Sequence, residues 1–393
     1  MRNRQILLVL SVLLACLPAR GAGQVAGLDS VANAALERAL ELLELRAEEL
    51  SFDKFYAPDD TFRLAAVEGL MADPLSLPSW QDALVADLTA AQRDPAALLT
   101  RLGNLLAVDP PVQPAGLPPA GRFPLPPAPP SAWLPAPGRV SVAAPDTRGA
   151  RALRKQLERA ADAFVDSLRV AERELERAFA GLAPADRDSL LLIAPAFWAG
   201  WDDEDPTALA LRGALHRELA IAADTVGIAI DENLVLDLAA RVDRAALIAA
   251  AQRFQAALGA LLAAGDPEAP LPARKHMEGV VGAIVGTRET PWGLLVLGGP
   301  GPNRYEAAAL ARIAFLIEPG GDDVYAGRAA SALGGLTRPF GALVDLAGDD
   351  LYAGEGRAFA LGGALLGVAA LIDAAGEDRY IGGDGTLGAG FFG

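Results

Sequence analysis

Seven aspartates near the C-terminus are the residues whose type and spacing could do chemistry: Asp322, Asp323, Asp345, Asp349, Asp350, Asp373 and Asp378. Carboxylates are hard oxygen ligands, and calcium takes several of them at once. Their spacing is periodic. The stretch from Phe315 through Gly320-Gly321-Asp322-Asp323 to Tyr325 recurs as Leu343 through Gly348-Asp349-Asp350 to Tyr352. It recurs again as Leu371 through Gly376-Glu377-Asp378 to Tyr380, and a degenerate earlier copy runs from Leu295 to Tyr305. If the copies stack, the aspartates fall into columns, where like charges repel unless a cation sits between them. Calcium bound by these seven residues is the metal expectation. The competing reading is architectural: the corner acids bond the turn backbone, Gly321, Gly348 and Gly376 adopt positive φ, and each tyrosine stacks on its copy.

Catalytic readings find less support. Paired carboxylates can cleave glycosides, but these acids recur with the repeat, whereas a catalytic pair should stand once and off the pattern. The chain has no Gly-x-Ser-x-Gly elbow, His-Glu-x-x-His helix or Walker phosphate loop. The Gly298-Gly299-Pro300-Gly301 run resembles a phosphate loop only in glycine content, because its prolines lack amide donors; it reads as the first copy's corner. With one cysteine and two histidines, Cys16, His216 and His276, thiolate and imidazole metal sites have too few ligands. His276, beside Lys275 and Glu278, reads as interdomain surface, and His216 as structural or surface. The acidic run Asp202 to Asp205 reads as a solvated loop capping the next helix.

The elements that must position the aspartates follow from the spacing. Tyr305, Tyr325, Tyr352 and Tyr380 lie 20, 27 and 28 residues apart, and Leu333 and Leu361 each precede the next tyrosine by 19. The return from tyrosine to the next such leucine varies over eight, nine and seven residues. Constant spacing marks a stacked element and variable spacing a loop. A unit this small cannot bury its own apolar face, so it stacks on its neighbours. The expected form is a β-solenoid, one coil per unit, with a hairpin array in a sandwich as the alternative. The uncharged stretch 358–372 is expected as an interior strand pair, being too short and glycine-rich for a membrane span. The sequence stops partway through a coil, which leaves either an uncapped edge or, the favoured reading, a truncated piece of a longer protein.

The fragment Gly320-Gly321-Asp322-Asp323-Val324-Tyr325-Ala326-Gly327 resembles the glycine-aspartate turns of RTX calcium-binding β-rolls, and that resemblance implies calcium at the corners. It departs from those rolls in period, since their turns recur every nine residues or so. The repeat as a whole resembles exported bacterial proteins with Gly-Asp-Asp-x-Tyr repeats, a group without an established activity, so the resemblance implies no catalytic residues.

The rest of the 393-residue chain reads as helical. Residues 1–23 form an expected signal peptide, with basic Arg2 and Arg4, an apolar run from Ile6 to Leu14, and small residues from Ala19 to Gly23. Leu13-Leu14-Ala15-Cys16 resembles a lipoprotein signal; either Cys16 is lipidated or it is discarded with the leader. A helical segment spans 28–108, with Ser30 as N-cap of a helix to about Leu50 and further helices at 60–71, 79–93 and from Pro95. Residues 109–138 hold twelve prolines, so 109–146 is an extended linker. A helical domain follows over 147–264. Its first helix places Leu153, Leu157, Phe164, Leu168, Leu175 and Phe179 on one stripe, and its others fall at 186–194, 206–226 and 232–264. A linker at 265–277 leads to the Gly/Asp-rich β-repeat domain, 278–393.

The fold class expected is therefore α+β and multidomain, helices first and β-repeats last. A formal charge of −16, from 34 basic and 50 acidic residues, argues against nucleic-acid partners. The expected protein is an exported, non-enzymatic binding or scaffold module, periplasmic, outer-membrane-anchored or extracellular, with an envelope or extracellular partner and no membrane span once the signal is removed. The alternative is an envelope hydrolase or lyase acting on polysaccharide or peptide.

Overall fold

The computed structural model describes residues 25–52, 64–91, 95–106, 147–187, 189–190, 232–265, 273, 275–333, 338–354, 359–383 and 386–391. The signal peptide with Cys16, the proline-rich stretch, the helix expected at 206–226, the acidic run Asp202 to Asp205 and His216 lie outside these residues. The chain divides into two compact units, Met1–Gln92 with Arg101–Val108, and Arg93–Thr100 with Asp109–Gly393.

The first unit holds α1 (Ser30–Leu42), α2 (Ala65–Ala72) and α3 (Leu77–Ala91). Asp29, not Ser30, caps α1, accepting the Ala32 N–H at 2.7 Å. The helix ends at Leu42, short of Leu50, where Glu44 takes a φ of +57°. A fourth helix, α4, covers Pro95–Leu105.

In the second unit, α5 (Thr147–Ala178) buries the expected stripe, with Phe164, Leu168 and Leu175 inside and Arg154, Lys155 and Glu158 in solvent. The expected helix over 232–264 is two helices, α6 (Glu232–Ala240) and α7 (Arg244–Ala263). Asp243 breaks the pattern because its carboxylate caps α7, accepting from Ala246 N–H at 2.9 Å. Among the described residues α7 is the one helix long and apolar enough to cross a membrane, and half of that window is buried inside the protein.

The tail forms three sheets. The first contains β1 (Val280–Val281), β4 (Arg304–Tyr305), β6 (Val324–Ala326), β9 (Leu351–Ala353) and β12 (Arg379–Ile381), in that order. The second orders β13 (Gly390–Phe391), β10 (Ala364–Leu365) and β7 (Ala332–Leu333). The third orders β11 (Val368–Asp373), β8 (Phe340–Asp345), β5 (Ile313–Glu318), β3 (Gly293–Leu297) and β2 (Gly286–Thr290). Each of the last three copies thus gives one strand to each sheet, paired in parallel with its equivalents. Parallel pairing at the repeat spacing excludes a hairpin array for these strands. Among the described residues antiparallel pairs occur only at the N-terminal side, β1 with β4 and β2 with β3, apart from a lone bridge between Lys275 and Ile284. The stretch 358–372 supplies β10 and most of β11, which belong to different sheets, so the expected strand pair does not form.

Pleating decides what each sheet buries. Leu295, Phe315 and Ala342 share a register and face the helices. There Phe315 meets Phe164 edge-on at 5.0 Å, and Phe340 stacks on Phe254 of α7 at 5.4 Å. Trp292 packs between them and donates its indole N–H to Glu172 of α5 at 2.9 Å. One residue along, Val296, Leu316 and Leu343 face the other way, into a second core with Tyr305, Tyr325 and Tyr352.

Candidate functional site

Two residues beyond the inward leucines, the same parity turns Glu318, Asp345 and Asp373 inward, in register with one another. The counterpart in the first copy is Gly298, whose missing side chain leaves the space that the Glu318 carboxylate fills. The inward acids meet the four tyrosines, which stack in one file with ring centroids 5.6, 4.9 and 4.5 Å apart. Tyr305 donates its hydroxyl to Glu318, Tyr325 to Asp345 at 2.5 Å, and Tyr380 to Asp373 at 2.5 Å.

The two acids of each corner part company. Asp323, Asp350 and Asp378 turn inward, and each accepts a hydrogen bond from the backbone N–H of its counterpart one copy earlier. Asn303 N–H reaches Asp323 at 2.6 Å, Asp323 N–H reaches Asp350 at 2.7 Å, and Asp350 N–H reaches Asp378 at 2.9 Å. Asn303 is the degenerate corner of the first copy. Asp322 and Asp349 turn outward and bond in the opposite direction: Asp349 N–H to Asp322 at 3.2 Å, Glu377 N–H to Asp349 at 3.0 Å. The corner acids therefore cross-link successive copies through the backbone. Gly348 must lack a side chain, since at φ +154° a Cβ would run into the Gly321 carbonyl oxygen and lie 2.7 Å from Asp350 Oδ1. Gly321 takes positive φ as expected, at +129°; Gly376 does not, and is required because a Cβ would run into the Gly348 carbonyl oxygen of the preceding copy.

Of the seven expected ligands, the structure brings Asp323, Asp345 and Asp350 together. Each is buried, and one carboxylate oxygen from each lies within 4.8 Å of the others. Asp322 and Asp349 stay exposed on the outer surface, away from that cluster. Asp373 and Asp378 pair on the last copy, where Asp373 serves Tyr380. Sequence reading missed Glu318, although it aligns with Asp345 and Asp373, because the glutamate breaks the aspartate pattern.

Burial dominates the electrostatics. It pushes Asp323 up to about 7 and Asp345 up to about 8, with neighbouring acids adding to the shift. Glu318 is driven well above the carboxylate range by burial and then by Asp323, and Asp378 is raised to about 6. Asp350 is raised too, mainly by burial. Among these acids and tyrosines, three buried atoms have no hydrogen-bond partner: Glu318 Oε2, Asp350 Oδ2 and the Tyr352 hydroxyl.

Nothing comparable appears elsewhere among the described residues, where Glu318, Asp323, Asp345 and Asp350 are the buried carboxylates. A cleft of about 230 Å³ between α5 and the third sheet is lined by Arg154, Glu158, Lys275 and Arg288, charges of both signs in reach of solvent. His276 is exposed, its Nδ1 3.1 Å from the Gly282 carbonyl. The chain matches no protein-family profile, no curated protein and no solved structure.

Proposed function

We propose that the protein is an exported, non-enzymatic scaffold or binding module whose C-terminal copies wind as a β-solenoid, one coil per copy, with helices covering one face. The supporting observation is that every buried carboxylate among the described residues sits at a repeated position and bonds a neighbouring copy's tyrosine or backbone. Acids built into a ladder in this way hold coils in register; catalysis asks for a pair free to exchange protons with a substrate in a cleft. The basic, apolar and small-residue order of the first 23 residues supports export. The partner of such a module is an envelope or extracellular molecule, because the acidic chain suits no polyanion.

The test uses the full chain against panels of envelope polysaccharides and peptides, with product detection by mass spectrometry. No turnover is expected. Turnover abolished by replacing one carboxylate off the repeat, such as Glu158→Gln, would establish the hydrolase or lyase alternative. Fusing residues 1–23 to a reporter lacking its own leader tests export; retention in the cytoplasm refutes it.

A further inference from the structure

The acid ladder is complete except at one place, and the gap lies where three carboxylates converge. In the file of tyrosines, Tyr305, Tyr325 and Tyr380 each donate to an inward acid. Tyr352 does not. By register its acceptor would be Asp373, the equivalent of Asp345 one copy on, but Tyr380 turns back and takes that carboxylate. The Tyr352 hydroxyl is left fully buried with no acceptor, and the charges acting on it most are those of Asp345, Asp373 and Asp350. Asp350, 97% buried by its 3% exposure, uses Oδ1 for Asp323 N–H and leaves Oδ2 without a partner. Unpaired buried oxygens cost free energy that a bound group would recover.

We propose that Asp323, Asp345 and Asp350 bind one calcium ion between adjacent copies, with the Tyr352 hydroxyl oxygen as a neutral fourth donor. All the donors are oxygens, which select hard cations over zinc or copper. One carboxylate oxygen from each of the three lies within 4.8 Å of the other two, the close approach that ligands of a single cation require. Magnesium fits worse, because it wants a shorter, near-octahedral shell and keeps several waters. Here backbone N–H groups fix two of the carboxylates, an irregular set of oxygens that calcium's flexible shell tolerates better, its remaining positions being open to second carboxylate oxygens or water. The ion would turn the architectural ladder of the proposed scaffold into a clamp between two coils. The site rests on that reading of the acids, yet it stands or falls on metal binding and not on turnover.

The experiment takes the full chain, stripped with EDTA, and titrates it with calcium chloride by calorimetry. Terbium luminescence excited through tyrosine, with calcium as competitor, provides a second readout. One ion per chain is expected, with a rise in Tm, displacement of terbium and much weaker binding of magnesium. Asp350→Asn keeps the oxygen that holds Asp323 N–H but loses the free one, and should weaken calcium at least about tenfold. Tyr352→Phe should weaken it several-fold without lowering the metal-free Tm, which separates ligand loss from misfolding. Asp349→Asn, on the outer column, should leave affinity unchanged. Absence of heat and of a Tm shift at millimolar calcium overturns the site. So does full affinity in Asp350→Asn, equal loss in Asp349→Asn, or magnesium binding as tightly as calcium.

Discussion

The sharpest consequence of the ladder is that two tyrosines in the same stack should respond oppositely to loss of one oxygen. Tyr325 and Tyr352 are both fully buried, their rings lie 4.9 Å apart, and phenylalanine preserves that stacking. The Tyr325 hydroxyl donates to Asp345 at 2.5 Å and lies 3.3 Å from Asp323, whereas that of Tyr352 has no acceptor. A buried hydrogen bond contributes about 1 kcal/mol to a neutral acceptor and up to about 3 kcal/mol to a charged one. Tyr325→Phe should therefore cost about 1–3 kcal/mol, and Tyr352→Phe, which removes a desolvated unpaired hydroxyl, should be neutral or stabilising. At roughly 2–4 °C per kcal/mol for a unit of this size, Tyr325→Phe lowers the tail's Tm by about 2–12 °C. The assay is thermal unfolding of the full chain in EDTA, followed by near-ultraviolet tyrosine dichroism. Equal losses in the two variants would refute the assignment of hydroxyl partners, since burial and stacking are common to both.

Three further outcomes follow from the same geometry. Gly348→Ala puts a Cβ against Asp350 Oδ1 at a φ of +154° and should cost about 3 kcal/mol or more, while Gly301→Ala, with open space around it, should stay within about 0.5 kcal/mol in the same unfolding assay. Phe315→Ala removes the ring that meets Phe164 of α5 and should cost about 3–5 kcal/mol, unfolding helix and tail together; a tail transition that shifts while the helical signal stays put would sever the shared core. In EDTA, stability should fall as pH rises. Asp323 and Asp345 are raised to about 7 and 8, so the native state holds protons that the unfolded chain releases near pH 4. That stability is fully present below about pH 4 and is lost as pH climbs through about 7 to 8. A Tm that increases with pH across this window would contradict burial of these acids as neutral groups.

Much of the tail was legible because its period is a packing constraint. Tyrosines at 305, 325, 352 and 380 announce a common environment, and the structure stacks them in one file. Pleat parity extends the reading: Glu318, Asp345 and Asp373 follow inward leucines or their equivalents by two residues, so they must share the leucines' face. The adjacent corner acids resist the same logic. Asp322 and Asp323 are consecutive residues of one type in a turn, where no period assigns faces, and the structure separates them by burial and by the direction of the inter-copy hydrogen bonds. The helices show the same limit at smaller scale. Asp29 and Ser30 are both good caps, and Asp243 sits inside an otherwise continuous apolar pattern, so side-chain geometry and not composition fixes where α1 begins and where α6 stops.

The orphaned Tyr352 hydroxyl lies beyond any reading of spacing, because it results from competition in three dimensions. Asp373 has two potential donors, Tyr352 from the preceding copy and Tyr380 from its own, and Tyr380 holds it at 2.5 Å. That competition supplies its own test of whether the calcium ligand set is right. Tyr380→Phe frees Asp373, so Tyr352 can donate there as Tyr325 does to Asp345, and its oxygen is then oriented away from the Asp350 cluster. Since a neutral hydroxyl adds less than a carboxylate, calcium affinity in Tyr380→Phe should fall several-fold but by no more than in Tyr352→Phe, and combining the two should add nothing further. Additive losses in the double variant, measured by the same calorimetric titration, would mean that the two hydroxyls act independently and that Tyr352 is not the shared link between ladder and ion.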